Sequence, residues 1–199
     1  PGPDLAHSSA ALAGERRWEM HRETVRRFWE SVEEYLRRFD PSKMRIYQDG
    51  LAIGGAAGRR IAEESARRGS RNYQLVLELV ENGAHLQATE HVALLLQEHA
   101  QVSAEERLAP SPEARELLLE ERDTYIADVI GSTLQEGELG VLFIGAGHNV
   151  FGRLAANIGV QRVKDPDNVR LYIQELLLGN DSRKLKSLAQ YLSARVDLS

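Results

Sequence analysis

The run "LGVLFIG" at residues 139–145 carries no polar side chain, and it constrains the fold more than any other stretch. A short strand of this kind has to be covered on both faces, as in a parallel sheet with helices packed on either side. "KMRIYQDG" and "AHLQAT" read as strands before it and "VQRVKD" as a strand after it. Helical stretches fall between them. Apolar residues spaced by three, four and seven (Trp18, Val25, Phe28, Trp29, Val32, Leu36) predict a helix from Glu15 to Arg38, ended by Asp40-Pro41. A glycine-rich link, "LAIGGAAG", leads to a helix over 59–68 with Gly69 at its end. Ser70 then caps "RNYQLVLELVEN", which stops at Asn82-Gly83. "EHVALLLQEHA" is helical, "VSAEERLAPSPEA" is a loop, and a long helix runs from Pro112 to about Gln135. A helix is expected after "GAGHNV", and two more in "PDNVRLYIQELLLG" and "SRKLKSLAQYLSARV".

Strands alternating with helices imply right-handed crossovers. The expected fold class is α/β: a mainly parallel sheet of about four strands, helices on both faces and helical additions at both termini. Residues 1–14 are expected to be mobile, and 15–199 to form a single domain.

With 25 Lys and Arg against 30 Asp and Glu, the net charge is −5, so a basic nucleic-acid-binding face is not expected. The chain has no cysteine, which excludes disulfides, thiolate metal sites and cysteine nucleophiles and suits a cytoplasmic location. There is no signal-peptide pattern, and no apolar run reaches the roughly 20 residues that span a bilayer, so no membrane partner is expected.

Ligands of open parallel sheets gather outside the carboxyl ends of the strands. Those ends supply Gln48 and Asp49, then Thr89, Glu90 and His91, then Gly145, Gly147, His148 and Asn149, then Lys164 and Asp165. Several have a purely structural alternative: Asp49-Gly50 suits a turn, and Thr89 suits a helix N-cap. Arg122 shares one face of the long helix with Leu118, Ile126, Val129 and Ile130. An arginine there either finds a carboxylate, with Glu90 and Asp49 as the candidates, or snorkels from the edge of the stripe. His148 has three readings: a corner residue bonded to a carbonyl, a metal ligand or proton carrier, or a residue facing an anion over the next helix.

As a dinucleotide fingerprint "GAGHNVFG" is partial. Gly145 and Gly147 fit, Val150 stands where the third glycine belongs, and Asp165 falls where a ribose-binding acid is expected. His85, His91 and His99 lack helical metal-ligand spacing, and there is no phosphate-binding P-loop and no G-x-S-x-G elbow.

The segment "ERDTYIADVIGSTLQEGELGVLFIGAGHNVFGRLAANIGVQRV", residues 121–163, resembles the TraB, Tiki and erythromycin-esterase-like superfamily. The resemblance rests on Arg122-Asp123 in a helix and on the G-x-x-H turn from Gly145 to His148 after a buried strand. "KMRIYQDGLA" and "GSRNYQLVLELVENGAHLQATE" are similar to stretches of small bacterial proteins without an assigned function. The superfamily resemblance implies an α/β domain in which the arginine, the histidine and acidic residues of earlier strands converge. Its members include metal-dependent peptidases and esterases. Active members usually carry a histidine motif on the first strand as well, whereas strand 1 here ends in Gln48-Asp49-Gly50.

The leading expectation is therefore a hydrolase-like site of Asp49, Glu90, Arg122 and His148, acting on a small molecule or peptide. Glu90 would be a general base or metal ligand, His148 a ligand of a divalent metal or a general acid, and Arg122 an oxyanion holder or the residue that orients Glu90. The second reading is a nucleotide- or anion-binding module built on Gly145, Gly147, Asn149 and Asp165. The third is an interaction protein, a homo-oligomer included, that uses the helical ends and their rings Trp18, Phe28 and Trp29.

Overall fold

The computed structural model describes residues 14–103 and 111–196. The expectation of a mobile start thus falls, but for Gly14, outside the described residues, as does most of the loop read in "VSAEERLAPSPEA". The chain is α/β, mostly helical, with a small parallel sheet and helices at both ends. Its contacts divide it into two compact units. One comprises Asp40–Ser65 and Val76–Val160; the other takes residues up to Phe39, Ala66–Leu75 and Gln161 onward.

The first unit holds the sheet. β1 (Met44–Gln48), β2 (His85–Gln87) and β3 (Leu139–Phe143) lie in the order β2-β1-β3, with both pairings parallel. Ile46 sits opposite Leu86 on one side and Val141 on the other. β1 is the central strand. Ile46 and Tyr47, which point to opposite faces, are both fully buried, so β1 is covered on each side. "LGVLFIG" was expected to be the buried strand, but β3 is an edge strand, and only Phe143 in it is buried. Its apolar residues still serve the core. Leu142 and Ile144 pack on a cluster of Tyr47, Ile126, Ala127, Ile130 and Val150. At the edge of this cluster, the Tyr47 hydroxyl bonds Thr133 Oγ1 at 2.9 Å.

No fourth strand is present among the described residues. In "VQRVKD" only Val160 and Val163 are apolar, and Val160 is exposed. Lys164 donates instead to the carbonyls of Tyr191 and Ala194. The helix expected after "GAGHNV" shortens to one 3-10 turn, Phe151–Arg153. Gly152 and Gly159 interrupt that stretch, each a poor helix residue.

Two helices lie between β1 and β2, α2 (Gly55–Arg67) and α3 (Arg71–Glu81). α2 begins inside the stretch read as a glycine link. Two of those glycines allow close packing: a Cβ at Gly58 would lie 2.2 Å from the Ile53 carbonyl oxygen, and one at Gly54 would lie 3.0 Å from the Ala88 amide nitrogen. Gly58→Ala is expected to lower stability by about 1–3 kcal/mol, the usual cost of overpacking, as a drop in melting temperature. An unchanged melting temperature would mean that the Ile53 turn gives way freely. α4 (Val92–Ser103) follows β2, and α5 (Pro112–Thr133) comes after it in the chain, with Ser111 accepting from the Ala114 amide as its N-cap.

The second unit is helical. α1 (Glu15–Leu36), α6 (Pro166–Leu178) and α7 (Ser182–Ser193) enclose Tyr172, Leu176, Leu185, Ala189 and Leu192, with Trp18, Phe28 and Leu188 against them. The amphipathic end helices thus cover one another. Trp18 and Phe28, read as candidates for a partner surface, serve this core. The outer face of α1 carries the expected solvated charges, where Arg26 pairs with Glu23 and Glu30. Arg17 reaches across to the carbonyls of Glu175 and Gly179 at the end of α6. Among the described residues no helix is long and apolar enough to cross a membrane.

Candidate functional site

The site is built where β1 and β3 run out. The Asp49 amide donates to the Phe143 carbonyl at 2.9 Å, adding one rung beyond the β1–β3 ladder. Gly50 then turns with φ +80°, a conformation that favours glycine. The next carbonyl, of Leu51, accepts from the amides of Thr89 (2.8 Å) and Glu90 (3.1 Å), so the chain leaving β2 is tied to the turn leaving β1. Thr89 is fully buried, and its hydroxyl accepts from the Gln48 amide at 3.0 Å, so it clamps two strand ends rather than capping a helix. His91 takes the capping place: its Nδ1 accepts from the Ala93 amide at 3.2 Å.

Arg122 rises into this junction from α5. It is 3% exposed, so it does not snorkel. Its Nη2 lies 2.5 Å from Glu90 Oε1 and 2.7 Å from Asp49 Oδ1, and its Nε donates to Glu90 Oε2 at 3.3 Å. Nη1 is paired with Glu98 of α4. The next residue, Asp123, faces the glycine turn. Its Oδ1 lies 2.6 Å from His148 Nδ1, and its Oδ2 accepts from the Asn149 amide at 2.6 Å. The other ring nitrogen of His148, Nε2, is 3.5 Å from Asp49 Oδ2, an oxygen that also accepts from the Gly145 amide at 3.2 Å. The turn closes on itself through the His148 amide and the Gly145 carbonyl.

The four residues expected to converge, Asp49, Glu90, Arg122 and His148, therefore form one connected cluster. Asp123 and Glu98 join it. Asp123 stood in the sequence beside Arg122 as part of the resemblance. Its bond to a residue 25 positions away follows from how α5 meets the turn after β3. Glu98 had no signal, because one glutamate in an amphipathic helix is indistinguishable from any other on a solvated face.

The charges shift one another. Burial pushes the Glu90 carboxyl up, and the adjacent Asp49 adds to this, so that its pKa is raised despite Arg122. Burial would also raise Asp49, but the hydrogen bond and charge of His148, with the charge of Arg122, hold it well below the usual carboxylate range. For His148 burial works downward, yet Asp49 and then Asp123 outweigh it, and its pKa is raised. The imidazolium and the Asp49 carboxylate thus favour one another.

This donor set does not fit the expected metal. Both ring nitrogens of His148 face carboxylates, so neither presents a free lone pair. Glu90 is turned onto Arg122 with both oxygens, and the guanidinium occupies the place between the carboxylates where a cation would sit. Among the described residues no three His, Asp or Glu side chains are grouped to hold a metal ion.

The nucleotide reading is also reshaped. The amides of Gly145 and Asn149 are committed to Asp49 and Asp123, and the turn enters a 3-10 turn rather than a helix with free N–H groups. Gly147 is open, with nothing within 4 Å of where a Cβ would stand. Asp165 belongs to the helical unit, where its carboxylate accepts from the amides of Asp167 and Asn168 as the N-cap of α6.

Comparison with protein-family models, with curated proteins and with solved structures gives no match.

Proposed function

We propose that this chain is a hydrolase-like protein of the TraB, Tiki and erythromycin-esterase-like kind, with its reaction centred on His148. The observation that carries the reading is the chain of contacts from Asp123 to His148 Nδ1 at 2.6 Å and from His148 Nε2 to Asp49 at 3.5 Å. A histidine aimed at one nitrogen by a buried carboxylate is poised to move a proton at the other. Its raised pKa favours the charged imidazolium, which suits a general acid that protonates the leaving oxygen or nitrogen of an ester or peptide.

Asp49 is the more open of the two carboxylates that face His148, its side chain being 25% exposed against 3% for Asp123. Being held ionised, it is a weak base, and its role is to keep the imidazolium charged. Arg122 fixes Asp49 and Glu90 together. Glu90, fully buried against Arg122, is a positioning residue rather than the general base.

The test is a panel of aryl esters and short peptides assayed with the wild-type chain and with His148→Ala. Turnover that falls by about a hundredfold or more in the variant is the expected result. No turnover of any substrate by the wild type, or equal turnover by both proteins, would remove the proposal.

A further inference from the structure

Arg122 carries one positive charge and meets three carboxylates, which differ in how firmly they are held. Glu90 has a fully buried side chain, and its Oε1 lies 3.4 Å from the Gly50 amide. Asp49 is braced by the Gly145 amide as well as by Arg122. Glu98 is different. Its side chain is 44% exposed, and it comes from α4, where no described side chain from Val92 to Gln101 is buried. That helix is apolar, yet Val92 is 51% and Leu96 is 65% exposed. A helix with few buried contacts belongs to the part of a fold that opens most readily.

We infer that Glu98 occupies the place of a ligand's carboxylate: with Glu98 turned out to solvent, Arg122 Nη1 receives a monoanionic carboxylate from a small acid or a peptide terminus. The inference rests on the site reading above and names the ligand class. Arg122 is well made for it. Its Nε–Nη2 edge is locked on Glu90, so the guanidinium is held rigid, with Nη1 directed to the exposed side. Nη1 is a charged N–H donor, and it already donates to a carboxylate, that of Glu98. Asp49 and Glu90 set the charge limit. Ionised together they outweigh the single charge of Arg122, so a dianion in place of Glu98 would meet more repulsion than a monoanion.

An internal carboxylate competes with the ligand. Apparent affinity is reduced by the fraction of molecules in which the site is open, so removing the competitor tightens binding by the inverse of that fraction. Glu98→Gln keeps the size of the side chain and removes its charge. Calorimetric titration of the whole chain with N-acetyl-alanyl-alanine and with its C-terminal amide tests this. The acid is expected to bind and the amide not, and Glu98→Gln is expected to tighten the acid about tenfold, as for a site closed nine-tenths of the time.

Sodium acetate is titrated beside it. Acetate binding as tightly as the dipeptide acid identifies a small carboxylate, whereas binding of the dipeptide alone identifies a peptide terminus. No heat in either protein, equal binding of acid and amide, or an affinity that Glu98→Gln leaves unchanged or weakens would overturn the inference. The outcome is separable from the hydrolase proposal. Tighter acid binding in a protein without His148-dependent turnover keeps the carboxylate site and removes the reaction. His148-dependent turnover with no effect of Glu98→Gln does the reverse.

Discussion

Arg122→Met is expected to destabilise the protein by about 3–5 kcal/mol, the cost of breaking a buried ion pair by removing one partner. Methionine matches the length of the arginine stem but leaves Glu90 buried with its main counter-charge gone. Glu90 must then take up a proton or drag water into the junction of β1, β2 and α5. Its pKa is already raised by burial, and without Arg122 it rises further. A carboxyl whose folded pKa is raised contributes stability that is present below its unfolded value and is lost as pH rises through the folded value. The deficit of the variant is therefore largest near neutrality and shrinks toward the ordinary glutamate value of 4.5.

Urea unfolding at several pH values measures both the size and the sign. Adding Glu90→Gln to Arg122→Met is expected to recover part of the loss, so that the double variant costs less than the sum of the two single ones. A single-variant loss below about 1 kcal/mol would place the pair among exposed salt bridges and would contradict its burial.

Asp123→Asn is expected to lower kcat by about 10²- to 10⁴-fold on any substrate that the His148→Ala comparison identifies. The carboxylate accepts from His148 Nδ1 at 2.6 Å and so leaves Nε2 as the working nitrogen. An amide in its place can present its NH2 group to Nδ1, which selects the wrong tautomer. It also removes one of the two carboxylates that raise the His148 pKa against burial. For a general acid, activity falls as pH rises through that pKa, so the alkaline limb of the pH–rate profile is expected to move to lower pH in the variant. A residue that only held the turn together through the Asn149 amide would cost stability and leave that limb where it was. The limb, rather than the loss of rate alone, is what identifies Asp123 as a positioning residue.

Much of the architecture could be read from local pattern. The period of α1, the prolines at the starts of α5 and α6, the Asp49-Gly50 turn and β1 and β2 all appear where their residues predict them. These features depend on a few neighbouring residues: a stripe every three or four positions, a fixed φ, a missing N–H. The misreadings share another cause. "VQRVKD" has the look of a strand but no partner. "LGVLFIG" is apolar enough for a central strand but lies at the edge. The glycines of "LAIGGAAG" suggest a loose link, but a Cβ at Gly54 would stand 3.0 Å from the Ala88 amide nitrogen, in the chain leaving β2. Pairing, edge position and close approach are relations between distant segments, which no local window contains.

The candidate site divides in the same way. An arginine inside an apolar helical stripe must find a counter-charge or escape to water, and strand ends of a parallel sheet collect polar groups. Those two rules put Asp49, Glu90, Arg122 and His148 on one short list from sequence alone. Tertiary structure decided what each of them contacts. It turned Glu90 wholly onto Arg122, closed both nitrogens of His148 with carboxylates, brought Glu98 to the exposed side of the guanidinium and engaged Asp165 in capping α6. The reason is energetic: a buried charge is tolerated only where its partners stand within a hydrogen bond's length, and that distance is set by how β1, β3, α4 and α5 pack, not by the order of residues along the chain.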